Sequence, residues 1–246
     1  MRRPDEIPWR RILVQGVAIV ASILLAFAID AWWQEHVENQ RQREVLVALL
    51  DDFEKSKTHI IEWREFHLAI QESNTRLLKA AVSNDTSLTD DEIDRLLGDL
   101  GWWDIRSHIT TGALNSVVFG GELSIIEDDA LRQLLADWPS QIENLASVQN
   151  QDYDFFLNVW MPFLRANGYL PQITIIDAPM PGHPEVRSAV IDLSLESTWS
   201  HSSMIKDDEF HNVLVQKWWI QYDILIAFDD IESLLNQTIK RIQLTL

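Results

Sequence analysis

The sequence predicts an all-α protein: a single N-terminal transmembrane helix that continues into an elongated up-and-down helical bundle, with one long proline-rich loop. Three observations carry that prediction. Glycine and proline are scarce, eight of each in 246 residues, too few for an all-β chain with many tight turns. Neither occurs between Val17 and Gly98, so a long stretch runs without a helix breaker. Apolar residues make up 46% of the chain, enough for a core.

Residues 1–11 form a basic tail, with Arg2, Arg3, Arg10 and Arg11 against Asp5 and Glu6, and are expected to be cytoplasmic. From Ile12 to Ile29 eighteen residues carry no charge. They can cross a hydrocarbon core if the span runs on to Trp33, so residues 12–33 are assigned as the transmembrane helix. Trp9 before the span and Trp32 and Trp33 after it stand where an interfacial aromatic belt lies. The arginines precede the span, so the positive-inside rule places the N-terminus in the cytoplasm and residues 34–246 outside it, in the periplasm of a bacterial inner membrane. A cleaved signal peptide is the rival, because Ala26-Phe27-Ala28 fits a small-x-small cleavage pattern. The absence of a polar segment before that pattern, and the apolar run through Ile29 to the Trp pair, favour an uncleaved anchor. Within the span Ala18, Ser22, Ala26 and Asp30 recur every four residues. This small-residue stripe allows another membrane helix to approach closely, and Asp30 either contacts that neighbour or reaches the outer interface.

From Trp32 to about Val82 the chain reads as one long helix growing out of the anchor, or as two with an unmarked break. Leu46, Leu49, Phe53, Ser56, Ile60, Trp63, His67, Ile70, Asn74, Leu77 and Ala81 alternate by threes and fours and define its buried seam. Leu50, Ile61 and Leu78 widen the stripe to the breadth a bundle helix needs. Asn84–Ser87 reads as a turn. Thr89-Asp90-Asp91-Glu92 is a capping box that starts a short helix, with Gly98 as its expected end. A helix is expected from about Ser107 to Phe119, stopped by Gly120-Gly121. Another opens at Glu127-Asp128-Asp129 and runs to about Ala166, with kinks or breaks expected at Pro139 and Pro162. Residues 169–206 hold Pro171, Pro179, Pro181 and Pro184 and read as the irregular loop, with short extended pieces at Ile173–Ile176 and Ala189–Leu195. Asp207-Asp208-Glu209 caps a last helix to about Gln243, and Lys217, Asp223, Asp229 and Asp230 exclude it as a second span.

Trp33-Gln34-Glu35 follows the anchor. Thr110-Thr111-Gly112, Gly121-Glu122-Leu123-Ser124-Ile125-Ile126 and Leu131-Arg132-Gln133-Leu134-Leu135 follow in that order further on. In these features, over residues 12 to about 145, the chain resembles an uncharacterised bacterial domain-of-unknown-function family of single-pass, membrane-anchored helical proteins. It departs from that family at Trp138-Pro139, where the family tends to have tyrosine. The resemblance implies the anchor and the bundle, and no activity.

Chemistry is hard to find in the residues. Zero cysteines exclude disulfides, thiolate metal sites and cysteine nucleophiles. A net charge of −18 opposes nucleic-acid binding. The seven histidines, His36, His59, His67, His108, His183, His201 and His211, form no His-Glu-x-x-His pair. Asp208-x-x-His211 is the single match to a di-iron half-motif, and His67 reads as a satisfied core histidine. Nucleophile elbow, phosphate loop and dinucleotide fingerprint are absent. Asp51-Asp52, Asp128-Asp129 and Asp229-Asp230 are adjacent on helices and point about 100° apart, so they read as solvated faces or helix starts. No catalytic residue, metal or cofactor is assigned.

Eleven tryptophans are the unusual feature. Trp32–Trp33, Trp102–Trp103 and Trp218–Trp219 are doublets in which one ring can face the core and its neighbour the rim. Core and interfacial packing explain them most simply; the sharper reading makes the rim rings anchors for a partner, and a sugar platform is the third. The expectation is a non-catalytic scaffold or accessory subunit of a larger membrane complex, such as a respiratory or photosynthetic assembly. Its partners would be the lipid bilayer and other subunits of that complex, with a homo-oligomer as a further option. The alternatives are a periplasmic ligand-sensing bundle that signals through a partner, since only residues 1–11 precede the span, and an envelope enzyme using histidine and carboxylates.

Overall fold

Helix α1 (Trp9–Ser83) is a single helix of 75 residues, about 110 Å of unbroken rod. The computed structural model describes residues 9–83, 87–101, 107, 109–167 and 200–246, with side chains from Leu13 onward except that of Ser202. Among the described residues there is no strand, and the chain is all-α. The basic tail up to Pro8, most of the Asn84–Ser87 turn, the Trp102–Trp103 doublet, His108, and the loop to Trp199 with its two expected extended pieces all lie outside the described residues.

No residue of α1 from Leu13 to Gln40 is buried, and the first core residue is Leu46. All eleven seam positions from Leu46 to Ala81 are buried, the polar Ser56, His67 and Asn74 included. Breaker-free composition carries the helix on without interruption from its apolar N-terminal part, which is long and apolar enough to cross a membrane, and the three-four apolar spacing decides where packing begins.

Helix α2 (Asp90–Leu100) starts at the expected capping box: Thr89 Oγ1 accepts from the Glu92 amide, and Glu92 accepts from the Thr89 amide at 2.9 Å. It does not stop at Gly98. Leu100 is buried and holds the last turn on the core, and Gly101 is the cap, donating to Gly98 O. Helix α3 (Gly112–Phe119) begins five residues later than expected. Its first turn is capped from another helix, with Asp52 of α1 accepting from the Ala113 amide at 2.8 Å. Ser107 is instead tied by its backbone and hydroxyl to Gln149. Gly121 has φ +83°, the left-handed conformation that glycine adopts without strain, and leads into a 3-10 turn (Glu122–Ile125).

Helix α4 (Asp129–Phe155) carries Pro139 in its interior without breaking. It passes through a π segment (Phe156–Trp160) into α5 (Met161–Asn167). The expected disturbance at Pro162 thus takes the form of a wider turn. Pro162 has no N–H for the carbonyl of Asn158, and its ring would crowd that carbonyl in an α-helix. Residues 201–205, within the stretch read as irregular, form the one-turn helix α6 (His201–Ile205). Helix α7 (Asp208–Thr245) follows, capped by Asp207, which accepts from the Glu209 amide at 2.8 Å.

Cross-helix bonds set the directions. Arg64 meets Asp229 and Thr75 meets Trp218, so α7 descends alongside ascending α1. Asp128 meets Arg241 and Asp152 meets Lys217, so α4 ascends alongside α7. The limb of α2 and α3 descends from Ser73–Asp99 at one end of the bundle to Arg41–Glu122 at the end where α1 enters it. The result is an up-down-up-down bundle whose second limb is broken into short helices. Two apolar clusters fill it. The lower one includes Phe53 stacked on Trp138, with ring centroids 4.9 Å apart; the upper one includes Phe163 stacked on Phe210 at 5.8 Å.

Candidate functional site

The small-residue stripe lies on the N-terminal part of α1, where every described side chain from Leu13 to Gln40 is exposed. Ala18, Ser22, Ala26 and Asp30 are all exposed on one face. Ser22 donates its hydroxyl to Ala18 O at 2.8 Å, which satisfies it within the helix, and Asp30 accepts from Gln34 at 3.3 Å. Just beyond, Trp32 stacks on His36 with centroids 5.9 Å apart, and Trp33 lies at 6.1 Å from the same ring. Neither tryptophan of this doublet faces a core; both project from the bare helix. Trp9 is the first residue of α1.

The doublet on α7 divides as the sequence suggests. Trp218 is half-buried and donates Nε1–H to Thr75 Oγ1 at 3.1 Å, which joins α7 to α1. Its ring stacks on Tyr222, 5.4 Å away and 9° from parallel. Trp219 is exposed and stands nearly perpendicular to both. Val215, Trp219, Tyr222 and Ile226 form an exposed apolar stripe on the side of α7 opposite its buried residues. Trp219 also overhangs a groove of about 490 Å³ between α7 and the α4–π segment, whose polar wall includes Asp154 and Asp223.

Between the two apolar clusters lies a buried polar layer. Lys217 donates to Asp152 at 2.6 Å, and each side chain is only 1% exposed. Gln221 Nε2 donates to the other Asp152 oxygen at 3.0 Å, which leaves its Oε1 to accept from His67 Nδ1 at 2.9 Å. That order places a proton on His67 Nδ1. Asn74 donates to Leu214 O at 3.1 Å in the same region. His67 is thus the core histidine expected of it. Lys217 is a different matter: in sequence it interrupts an apolar helix, and in the fold it is a desolvated cation. Only the Asp152 position, 65 residues away in sequence, explains how it is tolerated. The pair neutralises itself, so its chemistry is positional: the polar groups match only when α1, α4 and α7 are in register.

Several of the remaining candidates hold structural contacts. Among the described residues no three histidine, aspartate or glutamate side chains converge on a metal position. His59 accepts from Trp63 Nε1 at 3.0 Å, and His211 donates to Ile205 O at 2.6 Å. His201 bridges Asp90 and Asp94 of α2, at 3.1 and 2.8 Å. Burial holds the Asp94 carboxyl above its ordinary pKa, and the His201 hydrogen bond opposes that shift. The acidic doublets divide their work. Asp52 caps α3, Asp128 caps α4 and Asp229 pairs with Arg64. The cap from Asp52 to α3 has no signal in the sequence, because the partners are 61 positions apart.

No family model, curated protein or solved structure matches this chain.

Proposed function

We propose that the chain is a non-catalytic scaffold or accessory subunit of a larger inner-membrane complex, anchored by residues 12–33 with its bundle in the periplasm. A respiratory or photosynthetic assembly is the kind of complex in view. The observation that supports this reading most directly is α1, one uninterrupted helix whose residues 13–41 are all exposed and whose remainder is built into the bundle. Such a rod holds a bundle at a set height and orientation above a bilayer. The bare stripe Ala18, Ser22, Ala26 and Asp30 suits a neighbouring membrane helix, and Trp32–Trp33 suit the lipid interface. The excess of arginine before the span supports a cytoplasmic N-terminus. Lys217, Asp152, Gln221 and His67 of the bundle interior are hydrogen-bonded to one another, which supports a structural role for that layer.

The test is isolation of the tagged full-length protein from its native membrane in gentle detergent, read by native mass and peptide identification. A stoichiometric complex with other membrane subunits is expected. A lone monomer or homodimer overturns the reading.

A further inference from the structure

We infer that the outward face of α7 is the docking site for a basic amphipathic helix of a partner protein, held far above the membrane. The inference rests on the subunit reading and names where, and with what chemistry, the partner engages. Val215, Trp219, Tyr222 and Ile226 are between 41% and 56% exposed. Their spacing of four, three and four residues is the a/d seam that a second helix fills with its own knobs. Three interlocked aromatic rings, those of Trp218, Trp219 and Tyr222, stiffen the centre of the stripe. Rigid aromatic anchors of this kind dominate helix-in-groove recognition.

Charge selects the occupant. Beside the stripe, Asp154 and Asp223 line the adjoining groove, and Asp230 lies one turn beyond Ile226. From Asp208 to Glu232 the only Lys or Arg on α7 is Lys217, which is buried against Asp152. On α4 and the π segment there is none from Gln133 to Trp160. Among the described residues the α4 side of the rim is therefore acidic without an exposed lysine or arginine, and on the α1 side Arg64 is paired with Asp229 and Glu232. A helix with lysine or arginine flanking its apolar seam neutralises it, with a cation also available to the face of Trp219. A second copy would bring two acidic rims together in a chain of net charge −18.

Height excludes lipid and membrane helices. The stripe is level with Arg64 to Thr75 of α1, through the Arg64–Asp229 and Thr75–Trp218 bonds. Those residues stand about 45–65 Å along the helix from Trp33. The partner helix thus belongs to a domain that projects from the membrane as far as this bundle does.

The test places a photoreactive benzoylphenylalanine at Val215 or Ile226 of the full-length protein in native membranes, with Glu143 on α4 as the reference position. The expected adducts form from positions 215 and 226 and not from 143. They carry a peptide of another chain that has net positive charge and apolar residues at heptad spacing. Asp154→Asn with Asp223→Asn reduces their yield roughly tenfold. Adducts to this chain's own peptides, to acidic or non-periodic peptides, or none at all overturn the inference. A stoichiometric complex that survives Trp219→Glu intact also overturns it while the subunit reading stands. Adducts of the expected kind without an isolable complex leave the docking site and remove the stoichiometric subunit.

Discussion

Lys217 is the residue on which the bundle's interior turns. Its ammonium is removed from water between two apolar clusters and is held by Asp152, with Gln221 and His67 completing the chain. A desolvated pair of this kind adds little stability relative to apolar packing, yet breaking it strands a buried charge. Lys217→Met alone is therefore expected to cost about 3–5 kcal/mol in urea unfolding of the bundle. Adding Asp152→Asn removes the stranded charge and keeps an amide oxygen for Gln221, so the double variant recovers more than half of that loss. A single variant as stable as the wild type would mean that the pair is not desolvated in solution.

Where α4 begins and α7 ends, one carboxylate serves two helices. Asp128 accepts from the Leu131 amide at 2.9 Å as the N-cap of α4, and from Arg241 of α7 at 2.7 Å. The Arg241 hydrogen bond, followed by the backbone bond from Leu131, lowers the Asp128 pKa below its ordinary value. A carboxyl depressed on folding contributes stability above its unfolded pKa of about 3.9 and loses it as pH falls through the folded value. Asp128→Ala is expected to cost about 1 kcal/mol at pH 7, with the difference from wild type shrinking below about pH 4. Asp128→Asn keeps the cap and loses the ionic part, so it separates the two contributions. Thermal unfolding across pH checks both. The π segment before Pro162 and the cap that Asp52 lends to α3 show the same dependence of one helix on its surroundings, inside α4–α5 and between α1 and α3.

The whole molecule divides at about residue 45 of α1 into a bare rod and a packed bundle, because no described residue before Leu46 is buried. Among the described residues, none of 13–33 is buried, so deleting residues 1–33 is expected to leave the core intact. The fragment 34–246 is expected to remain helical, to unfold cooperatively within a few degrees of the full-length protein, and to lose sedimentation with membranes. Circular dichroism and membrane flotation check it. Loss of cooperative unfolding in the fragment would show that the rod supports the bundle.

Much of this architecture is local and was legible in the order of residues. The seam from Leu46 to Ala81, the Thr89 capping box, the acidic starts of α4 and α7 and the apolar span each depend on neighbours within one or two turns, or on simple hydropathy, and those signals are written in sequence. The late start of α3, the continuation of α2 past Gly98 and the turn of α6 were not legible. Their ends are decided by groups that fold against them, Asp52 for α3 and the core contact of Leu100 for α2. The same holds for the candidate positions. The exposed Trp219 and half-buried Trp218 follow from helical spacing once α7 is placed, whereas Lys217 looks like an interruption until Asp152 is set beside it. Helical propensity and hydropathy act over a few residues, but the neutralisation of a buried charge acts through space, and only the packed bundle supplies the partner.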